Sequence, residues 1–211
     1  MTSLLLLVVL AGPMARAEDM DAADPMEQPS SIAVTSWNAS ERAVLSRGEP
    51  VARHWRDSSG RARGLSAVVV SAPAEVVWKQ IVDIDAWVEF LPYVTQSYTS
   101  LWEEEAEYTH ILAGYQLTTM GVNTRYKVDN RWYADQGVMV FQVTPEGSGP
   151  ISGGDGWWRV SPWPGARGQV LLEYSVDMSM QWWVPSMIER KAADRLPTVV
   201  RLIGRRAEKA K

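Results

Sequence analysis

Two histidines are the first candidates for acid–base chemistry in this sequence of 211 residues. His54 lies in an early strand-like stretch beside charged residues, which predicts that it is exposed. His110 alternates with Tyr108 and Leu112 in a later stretch, and this alternation predicts that it faces the interior. A single inward histidine is more often a hydrogen-bonded structural residue than a catalyst, so we assign no catalytic residue from the sequence.

The motifs of common catalytic and cofactor sites are absent from the sequence. It contains no G-x-S-x-G, no H-E-x-x-H, no P-loop and no dinucleotide-binding glycine motif between a strand and a helix. The glycine-rich run Gly153–Gly156 precedes a strand, so it offers no helix N-terminus to a phosphate. Cysteine is also absent, which excludes disulfides, thiolate catalysis and thiolate metal ligands. We therefore expect no metal site and no cofactor.

Tryptophan is unusually abundant, with 11 tryptophans against two phenylalanines. An indole ring combines a large apolar area with one N–H group, which suits a pocket that also orients a polar group of its ligand. The alternative is that most of these rings simply fill the core. Those that lie in or beside the predicted cavity are Trp78, Trp87, Trp132, Trp157, Trp158, Trp163, Trp182 and Trp183.

The elements that would position these side chains begin with the segment Ser71–Val94. Ser71 is a plausible N-cap, and Pro73 in the first turn loses no hydrogen bond there. Asp85 can cap a second short helix, which Pro92 ends by disfavouring helical backbone at the residue before it. The apolar positions of the two helices are Ala74, Val77, Trp78, Ile81 and Val82, followed by Trp87, Phe90 and Leu91.

The pattern APAEVVW…D…W..FLP.V in this segment resembles the START/Bet v 1-like helix-grip (SRPBCC) superfamily, in particular its polyketide cyclase/dehydrase and coenzyme-Q-binding branch. The resemblance extends from about Gly48 to the C-terminus. It implies a curved antiparallel sheet that grips a long C-terminal helix, with a hydrophobic ligand in the cavity between them. The superfamily includes carriers, receptors and enzymes, so the resemblance predicts the fold better than the function.

The hydrophobic pattern of the whole chain leads independently to an α+β fold. Its order is a helix, two strands, two short helices, six strands and a long helix, and an antiparallel sheet with helices on one side is an α+β arrangement. The predicted elements outside the segment already described are a helix at Asn38–Arg47, strands at Glu49–Arg56, Arg63–Ser71, Val94–Trp102, Glu105–Ala113, Thr124–Tyr133, Val138–Thr144, Trp157–Trp163 and Gln169–Asp177, a loop at Pro145–Gly156 and a helix from Pro185 to about Lys209.

The strand Thr124–Tyr133 has the clearest two-residue alternation. Tyr126, Val128 and Trp132 point one way, and charged residues such as Lys127 point the other, so one face is buried and one is wet. Extending this reasoning to the other strands and helices predicts a mainly apolar cavity for a hydrophobic small molecule. Its predicted lining is Trp87, Phe90, His110, Tyr126, Val128, Trp132, Met139, Phe141, Trp158, Leu172, Tyr174, Trp183 and Ile188.

The predicted long helix has one apolar face and one basic face. The pair Trp182-Trp183 lies where the last strand leads into this helix, and paired aromatic side chains beside a basic helix predict transient contact with an anionic membrane surface. The apolar positions, expected to form one wall of the cavity, are Ile188, Ala192, Leu196, Val199, Val200 and Ile203.

The N-terminus has the pattern of a secretory signal peptide. Residues 1–17 contain the apolar run Leu4–Ala11 and the cleavage motif Ala15-Arg16-Ala17, and the run is too short to span a bilayer. Residues 18–36 are acidic and rich in Ala, Pro and Ser, which predicts a flexible leader. The folded domain would then occupy residues 37–211. We expect a periplasmic or secreted protein without a lipid anchor, because a lipobox cysteine is absent.

The charge distribution limits the partners. The net charge is −4, but the excess acids lie at the N-terminus, and from Gln28 onward basic and acidic residues balance. A neutral domain gives no support for nucleic-acid binding, so we expect no nucleic-acid partner. We expect a monomer that binds a hydrophobic small molecule.

Three functions remain open from the sequence. The first is an exported carrier that binds a lipid, quinone or polyaromatic molecule without changing it. The second is an aromatase/cyclase-like enzyme that acts on a polyketide, with His110, Tyr126 or Tyr174 as its acid or base. The third is a scaffold whose tryptophans fill the cavity. Export favours the first function over the second, because polyketide chains on carrier proteins are made in the cytoplasm.

Overall fold

Eight antiparallel strands form a single curved sheet in the computed structural model. The structure describes residues 26, 28–56, 62–119, 121–145, 149–182, 184 and 194–211. The predicted signal peptide, the turn at 57–60, Trp183, Ile188 and the predicted first half of the long helix lie outside the described residues. No helix among the described residues is both long enough and apolar enough to cross a membrane.

The strand order is β1-β2-β8-β7-β6-β5-β4-β3, so β2 pairs with the last strand of the chain. From β3 to β8, each strand pairs with the next one in sequence. The strands are β1 (Val51–Arg56), β2 (Ala62–Val70), β3 (Val94–Glu104), β4 (Thr109–Thr119), β5 (Val122–Tyr133), β6 (Val138–Pro145), β7 (Ile151–Pro162) and β8 (Val170–Met180). The helices are α1 (Ala39–Leu45), α2 (Ala74–Val82), α3 (Trp87–Phe90) and α4 (Leu196–Lys209). The predicted α+β fold class is confirmed.

Helix α4 packs against the concave face of the sheet. Its buried side chains include Leu196, Val199, Val200 and Ile203, which agrees with the predicted inward face within the described residues. Gly204 lets the helix approach β2 closely, since a Cβ at this position would lie 2.9 Å from Cγ2 of Val70. The helix is therefore held at short range over the strand that pairs with β8.

Helices α2 and α3 cover the rest of the concave face, and their ends differ from the prediction. Pro73 is the N-cap of α2, whereas the hydroxyl of Ser71 accepts a hydrogen bond from Gln169. Asp85 lies in a 3₁₀ turn at Ile84–Ala86, and its carboxylate accepts from the backbone N–H of Thr99 at 2.9 Å. Both polar side chains thus bind residues distant in sequence, one just before β8 and one on β3, instead of capping their own helices.

The convex face of the sheet is covered by residues from the predicted flexible leader. Ile32 of this leader is buried against β5 and β6. Trp37, the first residue of the predicted domain, is buried against β2. Arg159 on β7 donates to the carbonyl of Ala33 at 3.1 Å and to the hydroxyl of Thr35 at 2.8 Å. The part of residues 18–36 that the structure describes therefore packs on the sheet. The prediction considered only the apolar residues of the leader itself. It did not include the apolar contacts and hydrogen bonds that residues on the sheet make with the leader.

Helix α1 lies within its predicted range, whereas the glycine-rich segment differs from the prediction. Asn38 caps α1 by accepting from the N–H of Glu41 at 3.0 Å. The predicted loop Pro145–Gly156, however, contains the start of β7 at Ile151. Glycine favours loops in sequence statistics, but here it makes room for neighbouring side chains.

Candidate ligand-binding cavity

A cavity lies between the concave face of the sheet and the segment formed by α2, the 3₁₀ turn and α3. Its empty volume is about 440 Å³ when the space open to solvent is included. Strands β4 to β8 supply most of its wall, and the helical segment supplies the remainder. The lining residues are Ile81, Ile84, Trp87, Tyr115, Tyr126, Val128, Asn130, Met139, Phe141, Val143, Trp158, Tyr174 and Val176.

Aromatic rings occupy much of the space. Trp158 and Tyr174 stack with ring centroids 4.0 Å apart and an interplanar angle of 15°. Tyr115 and Tyr126 form a second stacked pair at 5.5 Å and 26°. Trp87 contacts both pairs, with its centroid 5.5 Å from Tyr115 and 6.0 Å from Trp158. The enclosed part of the cavity has room for only a few water molecules.

Gly156 on β7 makes part of this packing possible. A Cβ at Gly156 would lie 2.4 Å from the ring of Phe141 and 2.2 Å from the carbonyl oxygen of Ser175. The ring of Phe141 therefore occupies the space that a side chain on β7 would otherwise take. This close approach explains why glycine is compatible with a central strand here.

The polar groups of the cavity are uncharged. Burial raises the pKa of Tyr126 and of Tyr174 above that of a free phenol, and it raises the pKa of Tyr115 well above that value. The three hydroxyls thus stay protonated at every physiological pH. A protonated phenol both donates and accepts a hydrogen bond, so each can serve a carbonyl or hydroxyl on a ligand.

Asn130 is a buried polar residue of the lining that the sequence prediction missed. Its amide nitrogen donates to the carbonyls of Ile111 at 3.0 Å and Val128 at 3.2 Å. These two bonds use both amide hydrogens and leave the amide oxygen as an acceptor. The signal was present in the sequence, because Asn130 continues the alternation of Tyr126 and Val128 on the inward face of β5.

Seven of the predicted site residues come together in the cavity lining, namely Trp87, Tyr126, Val128, Met139, Phe141, Trp158 and Tyr174. Three others lie on the concave side outside that lining. Leu172 is fully buried in the core, and Trp132 packs against Trp78 at 5.5 Å. Phe90 packs against the same core, with the guanidinium of Arg206 4.9 Å from its ring centroid.

His110 differs from the sequence expectation. The inward residues of β4 are Ile111, Ala113 and Tyr115, so His110 lies on the opposite face. Its Nε2 is 3.0 Å from Oδ1 of Asp129, a residue on the outward face of β5. Strand β4 has apolar residues on both faces, and for that reason its pattern does not fix which face is inward. His110 is therefore not placed to act in the cavity.

The described lining contains no carboxylate, imidazole, amine or guanidinium group. Across the described residues, no group of three or more His, Asp or Glu side chains is placed to hold a metal ion. The arrangement can surround an apolar molecule and exchange hydrogen bonds with it. It supplies no base within the described lining that titrates near neutral pH.

The sequence matches the family model "Polyketide cyclase / dehydrase and lipid transport" over residues 70–200, which is more than half of the chain. The protein belongs to this family. The assignment to the START/Bet v 1-like superfamily made from the segment Ser71–Val94 is thereby confirmed. A search of curated protein sequences found no match.

Solved structures with the same fold include both binding proteins and enzymes of this superfamily. A STAR-related lipid transfer protein from Xanthomonas axonopodis is 15% identical with a TM-score of 0.59, over 75% of this chain and 93% of that chain. A START superfamily protein from Mycobacterium smegmatis is 14% identical with a TM-score of 0.55, over 78% and 100%. An aromatase/cyclase from a Streptomyces species is 15% identical with a TM-score of 0.54, over 76% and 97%. At these identities the likeness establishes the fold alone.

Proposed function

We propose that this member of the family binds an uncharged hydrophobic small molecule in the cavity and releases it unchanged. The observation that carries the proposal is the lining itself, which is apolar and aromatic and whose described polar groups, from tyrosine, tryptophan and asparagine, are all neutral. The family description includes lipid transport, and a lipid transfer protein shares the fold.

The chemistry of the lining favours a neutral ligand. Each buried methylene-sized group contributes about 0.8 kcal/mol, so a modest hydrocarbon skeleton supplies ample affinity before ordering costs. A buried charge without a counter-charge is strongly unfavourable, and none of the described lining residues offers one. The tyrosine hydroxyls would instead donate to a carbonyl or hydroxyl group, and the oxygen of Asn130 would accept from a hydroxyl group. A quinone or a neutral lipid has this combination of groups.

An aromatase/cyclase-like reaction is the second candidate. The observation in its favour is that Tyr126 and Tyr174 place hydroxyl groups in a water-poor cavity, where they could polarise a carbonyl group. Their raised pKa values make both hydroxyls weak acids, and the described lining supplies no partner base. Binding without transformation therefore has the stronger support.

The cellular location is part of the same proposal. The apolar run Leu4–Ala11 and the motif Ala15-Arg16-Ala17 support export, with mature protein beginning at Glu18. Trp182 is 92% exposed, which supports a brief contact of the monomer with a membrane surface. N-terminal sequencing of the purified protein tests export, and an intact Met1 on cytoplasmic protein would contradict it.

A pair of tryptophan substitutions on β5 tests binding. Val128 lines the cavity and is buried, whereas its neighbour Lys127 is exposed on the other face. Val128→Trp should fill the cavity and lower the affinity for a fluorescent quinone analogue at least tenfold, as measured by titration. Lys127→Trp is the matched control and should bind like the parent. Equal losses in both variants, or no binding by the parent, would contradict the proposal.

A further inference from the structure

Trp87 differs from every other described residue of the cavity lining. It is only half-buried and belongs to α3, a helix of four residues. The other two lining residues of the helical segment, Ile81 and Ile84, are completely buried. All remaining lining residues are fixed on strands of the sheet. Tyr174 is also half-buried, but it is fixed on β8. Trp87 is thus the half-buried lining side chain that no strand holds.

The indole of Trp87 bridges the two stacked pairs in the cavity lining. It is tilted by 44° to Tyr115 and lies at 72° to Trp158. Tyr115 and Trp158 belong to β4 and β7, so the sheet holds them whether or not Trp87 is there. The space that the indole occupies is therefore bounded by rings that the strands of the sheet hold in place.

The side chain of Trp87 can leave without unfolding α3. Its Nε1 donates one long hydrogen bond, 3.3 Å, to the carbonyl of Gln80 near the end of α2, where helix carbonyls lack intrahelical partners. The backbone around it is held separately. The N–H of Val88 donates to Ser97 at 3.1 Å, and Asp85 accepts from Thr99 at 2.9 Å. The hydroxyl of Ser97 also donates to the carbonyl of Asp85 at 3.5 Å. One weak bond and ring contacts hold the indole, while these three other bonds hold the segment to β3.

We propose that Trp87 occupies the position of the ligand's ring in the empty protein and exchanges with it on binding. This inference rests on the proposed binding function and narrows the ligand to one that carries a planar uncharged ring. Such a ring would replace the contacts of the indole with Tyr115 and Trp158 one for one. A straight hydrocarbon chain would displace the indole without restoring ring–ring contacts. The polar edge of the ring would meet the hydroxyls of Tyr126 and Tyr174.

The exchange can be observed directly in the full-length protein. Labelling with 5-fluorotryptophan gives a fluorine signal for each of the 11 tryptophans, and Trp87→Phe assigns the signal of Trp87 by its loss. The probes are 1,4-naphthoquinone and 1-decanol, both uncharged. Naphthoquinone should move the Trp87 signal toward that of a solvent-exposed indole. The signal of Trp157, which lies on the convex face against Arg159, should stay in place.

Affinity provides an independent readout. Trp87→Ala should bind naphthoquinone at least tenfold more tightly than the parent, because no side chain has to be displaced. Trp102→Ala is the control, since Trp102 is 45% exposed and lies outside the cavity lining. It should leave the affinity unchanged.

The outcomes separate this inference from the function on which it rests. If the parent binds naphthoquinone while the Trp87 signal stays in place, or if Trp87→Ala binds it no more tightly, the exchange is wrong and the binding function stands. If decanol binds the parent as tightly as naphthoquinone, the ring preference is wrong. If neither probe binds the parent or Trp87→Ala, the proposed function fails as well.

Discussion

The two faces of the sheet are packed by different kinds of interaction. On the concave face, aromatic and aliphatic side chains meet without any charged group in the described cavity lining. On the convex face, charged side chains are buried in pairs: Arg159 with Glu173 at 2.7 Å, and Arg63 with Asp177 at 3.2 Å. The carboxylates of both pairs are almost completely buried, with side-chain exposures of 2% and 1%.

This difference matches two structural roles: the convex face holds the N-terminal segment in place, and the concave face surrounds the cavity. Arg159 binds Glu173, Ala33 and Thr35 at once, so its directional bonds hold the N-terminal segment in a single position. Ring contacts are favourable in more than one arrangement, offset-stacked or edge-to-face, so a second ring can take the place of one that leaves. The convex face is therefore suited to fastening the chain, and the concave face is suited to exchanging partners.

The largest effect should come from breaking a convex pair. Glu173→Leu leaves the guanidinium of Arg159 without its carboxylate, and removing one partner of a buried pair costs about 3–5 kcal/mol. Urea unfolding at neutral pH would measure this loss. The double variant Arg159→Met with Glu173→Leu should recover most of the stability. A double variant as unstable as the single one would show that the charges do not explain the loss.

On the concave face, Leu196→Ala should lower stability by about 2–5 kcal/mol, because the Leu196 side chain of α4 is buried and the substitution leaves a cavity. Thermal unfolding measures it. Arg201→Ala on the exposed side of the same helix is the control and should melt close to the parent. An unchanged melting temperature in Leu196→Ala would mean that α4 is not docked as described.

The smallest effect concerns pH. A hydrogen bond from Arg53, at 2.8 Å, lowers the pKa of Glu41 from 4.5 to about 2. Because the folded pKa lies below the unfolded one, the contact stabilises fully above about pH 4.5, and its contribution is lost as the pH falls toward 2. Glu41→Gln should cost about 1 kcal/mol at pH 6 and much less at pH 2.5. An equal cost at both pH values would assign the effect to packing instead of charge.

The sequence predicts the inward face of a strand when the other face is wet. In β5, Lys127 is exposed and Val128 is buried, as the alternation required. In β4, the outward Leu112 is half-buried, so both faces carry apolar residues. The side chain that faces inward is Ile111 and not the predicted His110. Pattern reasoning fails at β4 because the contrast between wet and dry faces is weak there.

The sequence pattern also did not predict the contacts between residues that are far apart in the chain. The residues around Thr35 look like a solvated leader until Arg159 is known to bind them from more than a hundred positions away. Gly156 looks like part of a loop until the ring of Phe141 is known to need its space. In both cases the decisive partner is distant in sequence, and local composition carries no information about it.

The pairing of β2 with β8 also determines when this protein can finish folding. Val70 pairs with Val170, so this contact closes a loop of roughly a hundred residues, whereas the hairpins from β3 to β8 close short ones. The hairpins can form as the chain leaves the ribosome. The pairing of β2 with β8 and the docking of α4 can follow only after the final quarter of the chain has been synthesised. During synthesis, β2 is a long apolar strand with one pairing edge open, and an exposed strand edge of this kind can pair with another chain and start aggregation.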